Sequence, residues 1–179
     1  MLASVIKIKK NRELSQDSLE EILIDATEIQ IQRPKKKQKE FYSGKKKKRT
    51  IKFEIQTDSS GKILNISKAY CGKTHDFKIR KTSEHVPKDV TILADSGYQG
   101  LQGLHPKTIL PHKRKKKSKL SAEQKTHNSA ISSKRVSVEH VFAHLKKFKI
   151  LGSTYRNFRK KLHLRFNIIS GIYNLKFEA

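Results

Sequence analysis

Positive charge is the feature that most constrains this chain. Its 179 residues hold 41 Lys and Arg against 16 Asp and Glu, a formal net charge of +25 at pH 7. Compacting so much like charge is opposed by self-repulsion unless a polyanion lies nearby. The excess gathers in three runs, Lys35 to Lys39, Lys45 to Arg49 and Lys113 to Lys119, each set between apolar segments and so read as a loop. Loops of this kind fit the phosphates of a nucleic acid. An anionic membrane surface is the rival partner, but no basic amphipathic helix with aromatic residues stands out. A merely solvated basic surface is the remaining reading. Aromatic residues are few and tryptophan is missing, which argues against base stacking as the main binding mode.

The apolar segments between these loops set the fold class. Ile22 to Ile31 (ILIDATEIQI) is short, rich in isoleucine and followed by Pro34, the mark of a buried strand. In RTIKFEIQTD, Ile51, Phe53 and Ile55 alternate with polar residues, as in a half-buried strand. A turn at Asp58-Ser59-Ser60-Gly61 returns the chain as a third strand from Lys62 to Tyr70, completing an antiparallel meander. A short helix over His75 to Glu84, a strand over Val90 to Ala94 and a short strand over Thr108 to Leu110 follow. Ser121 with Gln124 forms a capping-box start for a helical region reaching Phe148, with a break near Ser132. Leu162 to Leu175 is a last, mostly apolar helix. The element order predicts an α/β domain with a mixed sheet. Residues 1–20 read as a polar tail and residues 21–179 as one domain. A single cysteine, Cys71, excludes an internal disulfide, and no apolar run approaches membrane-spanning length. A cytoplasmic protein is expected.

Acidic residues are scarce, so their positions carry weight. Asp25 interrupts an apolar strand, where a lone carboxylate costs several kcal/mol unless it is paired or binds a metal. Asp95 ends the strand VTILA, and strand ends are where α/β folds gather their chemistry. Glu139 lies on a helix whose apolar face is Val138, Val141, Phe142, Leu145 and Phe148. If the strands of Asp25 and Asp95 are neighbours, a crossing helix could bring Glu139 to them. Three close carboxylates repel one another, and divalent ions relieve that repulsion; oxygen ligands suit Mg²⁺ or Mn²⁺. Two such ions about 3.5–4 Å apart promote phosphodiester cleavage. Arg135 and Lys146 fall on the same helical face as Glu139 and are expected to meet DNA. Taken singly, each acid has an ordinary reading: a lysine-paired strand residue, a turn, a surface charge. His140 and His144 lack the glutamate placement of a zinc protease, and Cys71 with His75 supplies only two ligands.

These residues resemble the catalytic half of insertion-sequence transposases of the DDE superfamily. One group of that superfamily carries Tyr-x2-Arg-x3-Glu-x6-Lys around its third carboxylate; this chain reads Ser132-x2-Arg135-x3-Glu139-x6-Lys146. IDATEIQIQRP resembles the first-carboxylate strand and ILADSGYQG the second-carboxylate block. The resemblance runs from about Ile22 to Tyr173. It implies a ribonuclease H-like fold, with three antiparallel strands and then helix, strand and helix. It also implies metal-dependent hydrolysis at transposon ends, followed by strand transfer into target DNA. Asp25, Asp95 and Glu139 would then hold two Mg²⁺ or Mn²⁺ ions, with no small-molecule cofactor. Arg135 and Lys146, with Lys45, Lys46, Lys47, Lys115 and Lys116 from the basic runs, would contact double-stranded DNA. His75 and Asp76 fall in the family's Gly-x-x-His-Asp block and are candidates for a supporting shell. Self-association into a homo-oligomer, a bacterial source and association with the nucleoid are further expectations.

Family members usually carry a DNA-binding region before the first aspartate, whereas 24 residues precede Asp25 here. The chain is therefore expected to be a fragment, a second reading frame normally fused by frameshifting, or a decayed copy, with the DNA-binding region missing from it. Two other functions stay open at this point: a truncated, inactive DNA-binding remnant, and a ribonuclease H-like nuclease with another task.

Overall fold

The computed structural model describes residues 19–83, 86–114 and 119–177. Among the described residues, seven strands and four helices make a mixed α/β unit. The strands are β1 (Glu21–Gln30), β2 (Tyr42–Ser43), β3 (Lys48–Thr57), β4 (Ile63–Ile66), β5 (Tyr70–Cys71), β6 (Thr91–Ala94) and β7 (Thr108–Ile109). The helices are α1 (Asp76–Thr82), α2 (Ala122–Lys147), α3 (Lys149–Gly152) and α4 (Leu162–Asn174). Strand β1 is central. It pairs antiparallel with β3, from Leu23 opposite Thr57 to Gln30 opposite Thr50, and parallel with β6, from Glu21 opposite Thr91 to Ile24 opposite Ala94. Beyond β3 lie β4 and β5, beyond β6 lies β7, and β2 forms a hairpin with the start of β3.

The third strand expected over Lys62 to Tyr70 is two strands. Their separation has a local cause: the Ser67 hydroxyl accepts the backbone N–H of Glu54 at 2.9 Å, so a side chain replaces one rung of the ladder. The hairpin strand β2 was not foreseen; at two residues it is too short to show a period.

Because side chains alternate along a strand and opposite residues share a face, β1 and β3 present two distinct surfaces. On one, Ile29 meets Ile51, Phe53 and Ile55, and the layer is closed by Val141 and Leu145 of α2, Leu151 of α3 and Phe166 and Ile169 of α4. Phe53 is fully buried and stacks on Phe166 with ring centroids 4.6 Å apart. The other surface was expected to face water. It does not: Lys52, Glu54 and Gln56 are 9%, 1% and 4% exposed. Helix α1 covers them. Its Arg80 donates to Glu54 at 2.8 Å, and its Asp76 accepts from Lys52 at 2.9 Å. Charges placed two apart on the strand are thus answered by charges four apart on a helix, a spacing that keeps both on one helical face. Nearer β6, a smaller apolar cluster of Ile22, Ile24, Ile92, Ala94, Tyr98 and Leu101 completes this side.

Helix α2 starts at the expected box: the Ser121 hydroxyl accepts from the Gln124 N–H, and the Gln124 side chain accepts from the Ser121 N–H, both at 3.1 Å. The expected break near Ser132 is not there. Ile131, Val138, Val141 and Leu145 keep one buried stripe along the helix, and its burial outweighs the modest helix preference of the serines. The turn from α2 into α3 closes so tightly that a Cβ on Gly152 would lie 2.1 Å from the carbonyl oxygen of Lys146. That contact is with backbone and cannot rotate away. Gly152→Ala is expected to destabilise the fold by about 2–3 kcal/mol or more, the range for overpacking, measurable as a lowered urea midpoint with an unchanged slope. Among the described residues, no helix is long and apolar enough to cross a membrane.

Candidate active site

Parallel pairing of β1 with β6 brings two aspartates together. Ile24 lies opposite Ala94, so the next residues, Asp25 and Asp95, sit side by side where β6 ends. Both side chains are braced locally. The Asp25 carboxylate accepts the Ala26 N–H at 2.7 Å, and that of Asp95 accepts the Ser96 N–H at 2.5 Å, capping the short turn Ser96–Tyr98. Burial pushes the Asp25 carboxyl above its ordinary value. Arg135 works against that shift, and the neighbouring charge of Asp95 adds to it.

Arg135 projects from α2 between the two acids. Its guanidinium donates to Asp25 at 2.8 Å and approaches Asp95 at 3.5 Å. Asp25 and Arg135 are mostly buried, so this pairing is stronger than a surface ion pair. Arg135, expected to meet DNA, is engaged by the two aspartates. Helical periodicity places a residue around its own axis but does not say what the axis packs on. Glu139 stands one turn further on, about 6 Å along the helix, and is exposed. Among the described residues, no three acidic, histidine or cysteine side chains gather as a metal site. The structure therefore joins Asp25, Asp95 and Arg135 and leaves Glu139 at the rim.

Beside Asp95 opens a cleft of about 340 Å³ between α2 and the chain after β7, lined by Asp95, Ser96, His112, Lys113, Arg114, Asn128, Ser132 and Arg135. The Asn128 side chain fastens its far wall, accepting the His112 N–H at 2.7 Å and donating to the His112 carbonyl at 3.0 Å. Ser132, the position where the resembled group has tyrosine, faces into it. Lys115 and Lys116 lie outside the described residues. Lys45, Lys46 and Lys47 are exposed in the β2–β3 turn. Lys146, exposed at the end of α2, is held below the usual lysine range by desolvation and by the charge of Lys46.

Two of the supporting residues have clear positions. His75 is exposed at the start of α1 and makes no cap bond with its side chain. Asp76 spans two elements. One carboxylate oxygen accepts from Lys52, and the other lies against Gly97, where a Cβ would come within 2.7 Å of it. The loop carrying Asp95 is thus packed on Asp76, and a side chain at position 97 would displace the Asp76 carboxylate. Sequence reasoning missed Glu28, Lys52, Glu54 and Arg80. Lys52 lies 3.7 Å from Glu28, and Glu28 accepts from the Thr50 hydroxyl at 2.7 Å. Burial raises the Glu54 carboxyl despite Arg80. The Tyr98 hydroxyl, fully buried near that carboxylate, is held well above its ordinary range. The signal that could have found them was the opposite-charge order of Lys52 and Glu54 against Asp76 and Arg80.

The site lies within a region that matches a known family. Residues 24–174 match the family model described as DDE superfamily endonuclease. A probable transposase for insertion sequence element IS702 from Microchaete diplosiphon is 40% identical over 162 residues, covering 89% of this chain and 58% of the relative. The chain thus spans a little over half the length of the curated relative it matches. No solved structure matches it.

Proposed function

The chain belongs to the DDE superfamily endonucleases, and on that premise we propose that it is a transposase catalytic domain that cuts phosphodiester bonds at transposon ends and joins the freed 3′ ends to target DNA. The observation that carries this reading is the placement of Asp25, midway along β1, beside Asp95 at the end of its parallel neighbour β6, inside the matched region. The order β4/β5, β3, β1, β6, β7 supports a ribonuclease H-like fold for residues 21–179, the proposed catalytic domain.

The donor set fits a divalent ion. Both aspartates offer hard oxygen ligands, and burial of Asp25 with the charge of Asp95 beside it disfavours the Asp25 carboxylate by more than Arg135 offsets. Asp25, Asp95 and, from the rim, Glu139 would hold two Mg²⁺ or Mn²⁺ ions. Ions bound there activate water and stabilise the leaving oxygen. The protein's own groups do the rest. The Ala26 and Ser96 N–H groups fix the orientation of the two carboxylates. The rigid fork of Arg135 meets the carboxylates and is shaped to meet a phosphate. Lys113 and Arg114 line the cleft through which one strand would pass beside Asp95. Lys146 and Lys45 to Lys47 would hold the backbone beyond it.

Double-stranded DNA is the partner this arrangement fits, and a homo-oligomer in the bacterial cytoplasm at the nucleoid is its proposed setting. The matches to an endonuclease family and to a transposase support cutting over an inert basic remnant. The test is nicking of supercoiled DNA by the purified chain in Mg²⁺ or Mn²⁺ and in EDTA. The expected result is conversion to the open-circle form only with metal. Tight, salt-sensitive binding without nicking under any of these conditions would overturn activity of this chain alone.

A further inference from the structure

A second cleft, of about 400 Å³, lies away from the aspartates, between the C-terminal end of β1, the β2–β3 hairpin and the segment after α3. Five cations line it: Arg33, Lys47, Lys48, Arg49 and Arg156. No carboxylate is among the lining residues, and among the described residues none of the five takes part in an ion pair. The cleft is built rather than incidental. Arg33 is oriented by donating to the Gln38 side chain at 2.7 Å, a neutral acceptor that leaves its charge uncancelled. Arg49 lies over the Tyr42 ring at 5.9 Å, and its Nε is buried with no hydrogen-bond partner. The floor is fixed by a bridge between Ile31 and Tyr155 and by backbone bonds from Tyr155 to Gln30 and from Gln32 to Tyr155, at 2.8 and 3.0 Å. A buried guanidinium N–H without an acceptor, in a converging set of uncompensated cations, calls for an anionic ligand with several oxygens.

We infer that this cleft is a clamp for the phosphate backbone of duplex DNA, separate from the catalytic cleft and set at a fixed distance from it. That distance follows from β1, which joins the two sites. Five residues of strand separate Asp25 from Gln30, about 17 Å, and a duplex advances about 3.4 Å per base pair. For a duplex lying along β1, the clamp meets DNA about five base pairs, roughly half a turn, from the bond at Asp25 and Asp95. The ligand class rests on the reading of the chain as a DNA-cutting enzyme, but occupancy of the cleft does not depend on cutting.

The experiment is fluorescence anisotropy of a labelled 30-base-pair duplex in EDTA, where no cleavage contributes, over a salt series. Arg33→Ala/Arg49→Ala/Arg156→Ala is compared with Lys78→Ala/Lys88→Ala/Lys125→Ala, which removes the same charge from exposed sites elsewhere. Each phosphate contact contributes about 0.9 to the slope of log affinity against log salt. The clamp variant is expected to lose about 2–3 from the slope and at least about tenfold in affinity at 0.1 M salt. The control variant is expected to lose less than 1 from the slope. Equal losses in the two variants would overturn the clamp, as would an unchanged slope in the first. If Arg49→Ala unfolds the chain, Arg33→Ala/Arg156→Ala carries the test, both residues being exposed, with an expected slope loss of about 2. Absence of metal-dependent nicking by the parent chain, with the slopes as expected, would leave the clamp standing and overturn only the catalytic reading.

Discussion

Replacing Asp95 by alanine is expected to lower metal-dependent DNA nicking by at least about 10³-fold, the upper end of what deleting one preorganised electrostatic group costs. The loss should reach that end because a metal ligand goes with the charge. The fold should survive. Asp95 is the more exposed of the two aspartates, its side chain is bonded to the Ser96 N–H at 2.5 Å, and its approach to Arg135 is the longer of that residue's two contacts. Arg135 keeps its 2.8 Å bond to Asp25. A melting temperature near that of the parent, with nicking gone, separates a lost site from a lost fold. Nicking within tenfold of the parent would remove Asp95 from the catalytic machinery.

Glu54→Ala is expected to be the most damaging single change to stability. Glu54 and Arg80 form the most buried ion pair of those described, with side chains 1% and 5% exposed. Removing one member of such a pair costs about 3–5 kcal/mol, because it strands the other charge. For a chain of this length that is a fall in melting temperature of roughly 6–20 °C. Replacing both by leucine should cost less than Glu54→Ala alone, since burying two apolar groups carries no stranded charge. A double variant less stable than the single would show that something other than the pair holds α1 in place. The pair matters to the site as well as to the fold: α1 also carries Asp76, against which the Gly97 turn of the Asp95 loop is packed.

Much of the candidate site was legible because chemistry was out of place in the sequence. Asp25 stands in an apolar strand and Asp95 ends one. Their meeting, however, depends on β1 and β6 being parallel neighbours, which the element order allowed without requiring. The capping box at Ser121 was readable because it is local: two side chains and two N–H groups three residues apart. The pairing of Arg135 with the aspartates was hidden because it joins residues 110 positions apart in sequence. The polar layer under α1 was hidden for another reason. A strand with alternating polarity reads as half-exposed, and the period of two cannot distinguish water from a helix bearing complementary charges. Lys52 and Glu54 looked like a solvated face and are a buried one. The uninterrupted course of α2 through Ser132 shows the same limit, since burial of Ile131 and Val138 decides it rather than local propensity.

The central claim is that Asp25 and Asp95 together form a divalent-metal site. Electron paramagnetic resonance of free Mn²⁺, titrated against the purified chain and against Asp25→Asn/Asp95→Asn, tests it without relying on cleavage. Saturable Mn²⁺ uptake by the parent chain is expected, with affinity at least about 100-fold weaker in the double variant, beyond the 10–100-fold typical of lost outer-shell partners. Equal uptake by the two proteins, both folded, would contradict it and place the metal elsewhere in the chain.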